Sequence, residues 1–251
     1  GDDAMCLILF AWQQHADYSL IVAANRDEYY SRPSAAADFW GDAPQILAGR
    51  DLQAGGTWMG VTRSGRFAAL TNVREPLRPY SGNLSRGELV SDYLASEQTP
   101  QDYAADVLAR GDEYAGFNLL LGNVDSLLWV SNRADAPLTL NPGVYGISNH
   151  VLDTPWPKVV TGKLRFSGLL QNPDYLHLLD LLQDSTSAEE GTLPDTGVGL
   201  EMERLLSPMF IRSPLYGTRA STVLLVGKQI VFVEQSFGIH GERLTDEPAV
   251  F

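Results

Sequence analysis

Two stretches decide the fold: Cys6-Leu7-Ile8-Leu9-Phe10-Ala11-Trp12 and Tyr18-Ser19-Leu20-Ile21-Val22-Ala23-Ala24, the second running straight into Asn25-Arg26-Asp27-Glu28. Both are short, apolar and rich in β-favouring residues, and a polar turn separates them, so they read as a β-hairpin. The pattern recurs. Thr57–Thr62 and Phe67–Asn72 flank Arg63-Ser64-Gly65; Phe117–Gly122 and Leu127–Ser131 flank Asn123-Val124-Asp125; Ser221–Val226 and Ile230–Glu234 flank Gly227-Lys228-Gln229.

Helical patterns fall between these hairpins. Ser85 with Glu88 has capping-box spacing, and Leu89, Val90, Tyr93 and Leu94 then share a face. Thr99-Pro100 opens a second helix running to about Arg110. A third follows Thr154-Pro155, carried by Trp156, Val159, Val160 and Leu164; a fourth runs from Pro173 through Leu176, Leu179 and Leu182. The stretch Asp184–Gly199 reads as a surface loop. Antiparallel hairpins interrupted by helix pairs predict an α+β sandwich, not a doubly wound parallel sheet.

The chain has 251 residues, 18 basic against 31 acidic, for a net charge of −13. That balance argues against a nucleic-acid partner and against anchoring on an anionic membrane. Stable membrane insertion is not expected, since the run Cys6–Trp12 is far short of the about 20 residues a span requires. The lone cysteine excludes an intrachain disulfide and suits a reducing compartment, so a cytoplasmic location is expected. No two of the four histidines have metal-pair spacing, and no metal site is expected. Gly1–Ala4 read as an addition ahead of a natural start at Met5, followed by a single domain over 6–251.

If Met5 is removed, Cys6 carries a free α-amine. With a reference pKa of about 7.7–8.0, that amine can take the proton of its own thiol near neutral pH. Nucleophile and base then sit in one residue. Arg26, on the neighbouring strand, would favour the thiolate, and Asp27 could hold the amine. Adjacent strand residues point to opposite faces. Arg26 and Asp27 therefore share the Cys6 side only if the strand ends or bulges there, and Glu28 is the substitute. Gly55-Gly56 is either a tight turn admitting Trp58 to the core or room left for a ligand.

Several motifs in order resemble the NRDE family, the transport-and-Golgi-organisation proteins: Met5-Cys6, Asn25-Arg26-Asp27-Glu28, Gly55-Gly56-Thr57-Trp58, Thr71-Asn72-Val73-Arg74, Ser85-Arg86-Gly87, Gly146-Ile147-Ser148-Asn149 and Tyr216-Gly217-Thr218-Arg219. The resemblance covers Met5 to about Ser236. It implies an N-terminal-nucleophile hydrolase fold, a four-layer αββα sandwich related to penicillin V acylase and bile salt hydrolase. It also implies roles. Cys6 is then the nucleophile, Arg26 its electrostatic partner and Asp27 the amine-orienting acid. Asn72 is an oxyanion donor, Asn149 supports the amine or substrate, and Arg219 completes the cluster. The activity implied is hydrolysis of a linear amide bearing an apolar acyl group, with no cofactor. The alternative is a non-catalytic carrier of haem or an acyl-CoA in the same cleft, with His150 the first choice of axial ligand.

Overall fold

The computed structural model describes residues 5–79, 82 and 84–251; the expected addition Gly1–Ala4 lies outside them. The chain divides into two compact units. One comprises residues 5–31, 74–77 and 142–251, the other 32–73 and the described part of 78–141.

In the first unit, β1 (Met5–Trp12), β2 (Tyr18–Tyr29), β10 (Gly143–Ile147), β11 (Tyr216–Gly227), β12 (Ile230–Ser236) and β13 (Ala249–Val250) form a six-stranded antiparallel sheet. Its order is β10-β1-β2-β11-β12-β13. The predicted first hairpin is present, but β2 runs past Ala24 through the whole of Asn25–Glu28. The alternation of side chains sorts its faces. Leu7, Leu9, Ala11, Ile21, Ala23, Val223 and Leu225 pack against α3 (Pro157–Ser167) and α4 (Tyr175–Leu182) in one apolar cluster. Each large side chain buried there contributes roughly 1.5–3 kcal/mol.

The second unit holds a seven-stranded antiparallel sheet in simple chain order: β3 (Ser34–Trp40), β4 (Ala43–Asp51), β5 (Met59–Thr62), β6 (Phe67–Asn72), β7 (Phe117–Gly122), β8 (Leu127–Ser131) and β9 (Leu138–Thr139). Helices α1 (Gly87–Ala95) and α2 (Pro100–Ala109) cover one face, through the expected Leu89, Val90, Tyr93 and Leu94. Thr99 caps α2 as expected, its hydroxyl accepting from the Asp102 N–H at 3.1 Å. The β7–β8 turn closes on Asn123, whose Oδ1 accepts from the N–H groups of Asp125 and Ser126. The α+β class with two antiparallel sheets is as the sequence predicts.

Local expectations fail in four places. No side chain caps α1, since Arg86 occupies the N-cap and the Glu88 carboxylate accepts from the Tyr114 hydroxyl instead. The inward face of α3 is rotated from the predicted one. Val160 and Leu164 are 52% and 74% exposed, whereas Lys158, Gly162 and Phe166 are buried. Gly162 explains the rotation: a Cβ there would stand 3.1 Å from the Leu9 methyls, so its bare backbone lets α3 settle on β1. On α4, Leu176 likewise faces solvent and Leu178 and Leu181 replace it. The loop after Asp184 leads into α5 (Leu200–Leu205), which the sequence reading misses.

Candidate active site

The β1–β2 register sets Cys6 directly opposite Arg26 and Met5 opposite Asp27; β11 then sets Thr218 beside Asp27 and Ala220 beside Arg26. The strand neither ends nor bulges at Arg26. Arg26 and Glu28 therefore share the Cys6 face, with their charged ends 3.9 Å apart, and Asp27 lies on the helix-bearing face with Met5. The bulge falls in the partner strand, where Arg219 interrupts the pairing between Thr218 and Ala220. That kink frees Arg219 to donate to the Tyr29 carbonyl at 2.9 Å, just beyond Asn25–Glu28. Burial, then Arg26, lowers the Arg219 pKa, with Glu28 and Tyr30 opposing.

Asn25, first of the four motif residues, is consumed by structure. Its Nδ2 donates to the carbonyls of Leu182 at 2.7 Å and Met209 at 2.9 Å, and its Oδ1 accepts from the Ser221 hydroxyl at 2.6 Å. It pins the strand carrying Arg26 and Asp27 to the end of α4.

Cys6 is a free thiol, 3% exposed. Burial pushes it up to about 12, with Asp27 next in the same direction and Glu28 adding to it. A hydrogen bond from the Asp27 backbone and the charge of Arg26 oppose this but do not win. Arg26 thus acts in the expected sense, yet the thiol is not lowered, because removal from water costs the thiolate more than one guanidinium returns. In this sequence the Cys6 nitrogen is the amide joined to Met5.

Asp27 is fully buried. Its Oδ1 accepts from the Thr218 hydroxyl at 2.6 Å, and its Oδ2 finds no hydrogen-bond donor among the described residues. Burial raises it to about 6, against Lys158, the Thr218 hydrogen bond, Arg26 and Arg74. Sequence reasoning missed its surroundings. Lys158 is buried on α3 and donates to the Leu206 carbonyl at 3.0 Å. Arg74 pairs with Glu203 of α5 at 2.8 Å, with both side chains buried, and lies over the Trp156 ring. The Glu203 carboxylate also takes the Thr196 N–H at 2.9 Å. The Tyr216 hydroxyl accepts from the Met5 N–H at 2.7 Å, and the Met5 side chain packs with Leu206, Ile211 and Tyr216.

Asn149, fully buried, follows β10. Its carbonyl accepts from the Arg74 N–H at 2.8 Å, and its Oδ1 accepts from the Ser148 hydroxyl, which also reaches the Cys6 carbonyl at 3.1 Å. The single Ser148 hydroxyl proton is thus shared between Asn149 and the Cys6 backbone. Asn72 ends β6 in the second unit, paired with Phe117. In that second unit a Cβ on Gly56 would meet the Gly87 carbonyl carbon at 2.6 Å, so Gly56 serves close backbone packing, while Gly55 takes a φ of +86° in open space; Trp58 stays half-buried. His150 is exposed, its Nδ1 3.0 Å from the Thr154 hydroxyl. Among the described residues no cluster of three His, Cys, Asp or Glu could hold a metal ion. No helix among them is long and apolar enough to cross a membrane.

A family model described as Transport and Golgi organisation 2 matches residues 5–238. The chain belongs to that family. The human Transport and Golgi organization protein 2 homolog is 37% identical over 257 residues, covering 92% of this chain and 93% of its own. The Drosophila melanogaster Transport and Golgi organization protein 2 is 28% identical over 274 residues, covering 95% of each. Among solved structures, a Caenorhabditis elegans N-acylethanolamine-hydrolyzing acid amidase ortholog superposes with a TM-score of 0.52 at 14% identity. It covers 88% of this chain and 92% of its own. The chain therefore has the N-terminal-nucleophile hydrolase fold. Of the residues the family resemblance singled out, Cys6, Arg26, Asp27, Asn149 and Arg219 all lie in the first unit.

Proposed function

We propose that the chain, once it begins at Cys6, is a cysteine amidohydrolase acting on the linear amide of an apolar acyl substrate. The observation that carries this reading is the Asp27 carboxylate, buried across the strand pair from Met5 with one oxygen lacking a donor. A buried acceptor left unsatisfied costs roughly 1–3 kcal/mol, more when charged. A free α-amine on Cys6, whose N–H donates even when it is neutral, is the donor that this arrangement lacks.

The chemistry follows from the same residues. The Cys6 α-amine takes the thiol proton, and the sulfur attacks the amide carbonyl carbon. The tetrahedral intermediate collapses as the proton passes to the leaving nitrogen and the C–N bond breaks, leaving an acyl thioester on Cys6. Water then adds to the thioester, the C–S bond breaks, and a carboxylic acid leaves as the thiol is restored. Arg26 offsets negative charge on the sulfur, and the Ser148–Asn149 link fixes the Cys6 backbone.

The test compares the chain as sequenced with a chain beginning at Cys6, N-termini verified by mass spectrometry. Both are assayed on penicillin V, N-acyl amino acids and N-acylethanolamines. Turnover is expected only from the shorter chain. Equal turnover would show that the α-amine is not the base, and silence from both would remove the hydrolase reading.

A further inference from the structure

Lys158 has no place in the reading above, yet its position is costly. It is the second residue of α3, where the helix dipole is positive and a cation is disfavoured, and it is 5% exposed. A lone buried ammonium costs several kcal/mol unless a charge answers it. One carbonyl, that of Leu206, accepts from it. Of the charges acting on Asp27, that of Lys158 is the strongest, and of those favouring the Lys158 ammonium, that of Asp27 is the strongest. The geometry agrees: Lys158 reaches the carbonyl of Leu206, which packs with Met5, and Met5 stands opposite Asp27, so the ammonium and the carboxylate with a free oxygen share the helix-bearing face.

We propose that Lys158 is the positioning cation of the Cys6 centre: it serves as the resident counter-ion of Asp27, so that in a chain beginning at Cys6 the α-amine stays unprotonated. The proposal rests on reading Cys6 as an N-terminal nucleophile. Its logic is competition. One carboxylate, Asp27, stands before two amines. With Lys158 holding the proton, the α-amine is free to act as a base. Without Lys158, the α-ammonium becomes the one amine left to Asp27, beside the Thr218 hydroxyl, and keeps its proton to higher pH, which would disable the base.

The other charges facing this centre are Arg26 and Glu28 on β2, Arg74 in the 74–77 segment, Glu203 on α5, Tyr216 on β11 and the Cys6 thiol itself. Arg74 is matched by Glu203 at 2.8 Å, and Arg26 faces Glu28 at 3.9 Å. Lys158 makes no direct ion pair among the described residues, Asp27 included; its ammonium sits on the carbonyl of Leu206, which packs with Met5 opposite Asp27, and it answers that carboxylate at longer range.

Cys6 is the only cysteine, so feeding ¹³C-labelled cysteine gives one Cα and one Cβ signal. In a chain beginning at Cys6, the Cα signal is followed against pH in wild type, Lys158→Met and Lys158→Arg. The α-amine midpoint is expected to rise by a pH unit or more in Lys158→Met and to return to the wild-type value in Lys158→Arg. Equal midpoints in wild type and Lys158→Met would overturn the proposal, as would Lys158→Arg behaving like Lys158→Met. If Lys158→Met does not fold, the reciprocal test uses the chain as sequenced. It has three lysines, and ¹³Cε labelling follows Lys158 directly. Its midpoint is expected to fall by at least a pH unit in Asp27→Asn, and no movement would overturn the proposal. Neither readout needs an amide substrate. A chain that hydrolyses nothing yet shows these shifts sinks the enzyme reading and leaves the pairing of Lys158 with Asp27 intact.

Discussion

The buried pair Asp27 and Lys158 predicts an unusual dependence of stability on pH, which Asp27→Asn should abolish on the acid side. Burial holds the Asp27 carboxyl at about 6, against an ordinary 3.8. The folded chain therefore binds more protons than the unfolded one between these values. The stabilisation is full below pH 3.8 and is lost as pH rises through 6. At about 1.4 kcal/mol per pH unit, this gap corresponds to roughly 3 kcal/mol. Lys158 is the mirror case, drawn from 10.5 to about 8 by burial. Its stabilisation is full above 10.5 and is lost as pH falls through 8, again by roughly 3 kcal/mol. Between pH 6 and 8 both groups are charged and buried, and their contribution to stability is at its minimum. Urea unfolding of wild type and Asp27→Asn from pH 4.5 to 7.5 measures the acid limb by difference. Wild type should lose between 1 and 3 kcal/mol relative to the variant as pH rises (an order-of-magnitude range). A difference independent of pH would mean Asp27 titrates in its ordinary range and its burial is misjudged.

Three further outcomes are expected. In the chain as sequenced, iodoacetamide should label Cys6 far more slowly than an exposed thiol at pH 8, and Arg26→Ala should slow it further, since Arg26 opposes the rise to about 12; equal rates against pH in both proteins would show that Arg26 does not serve Cys6. Asn25→Ala should cost about 2–4 kcal/mol in urea unfolding, because it strands the Leu182 and Met209 carbonyls in the core; a loss under about 0.5 kcal/mol would contradict the structural role given to Asn25. If the chain instead carries haem or an acyl-CoA, Cys6→Ala should bind haem or palmitoyl-CoA as wild type does in calorimetry, and no binding by either protein would remove the carrier alternative.

Elements whose information is local were legible. The Phe117–Gly122 and Leu127–Ser131 strands fall where alternating apolar residues and the Asn123 turn place them, and Thr99 caps α2 because its partner is three residues away. What failed depends on contacts distant in sequence. Asn25 looked like the start of a chemical motif, yet its donors go to carbonyls 157 and 184 residues away. Lys158 drew no attention in the sequence, because lysine is ordinarily solvated; only the fold supplies the Leu206 carbonyl and the nearby Asp27 charge. The α3 face was misassigned because apolarity alone favoured Val160 and Leu164, whereas the packing turned on the missing side chain of Gly162. For the site, the ordered motifs named Cys6, Arg26 and Asp27. Strand alternation posed the choice between Asp27 and Glu28 without deciding it; the unbroken β2 decides it, with Asp27 on the far face and Glu28 on the side of Cys6.

The bond between Met5 and Cys6 is itself part of β1, held in register against Asp27 and Arg26, with the Met5 side chain 7% exposed and its N–H on Tyr216. A peptidase needs that bond extended in its own cleft, which a strand inside a paired sheet does not offer. On the proposed hydrolase reading, removal of whatever precedes Cys6 is therefore a question of timing. It has to happen while β1 is still unpaired, as on a chain emerging from synthesis, or wait for a rare opening that peels β1 from β2. A chain that folds first would keep its thiol dormant for as long as the sheet stays closed, so the speed of folding relative to trimming would set what fraction of molecules can ever react.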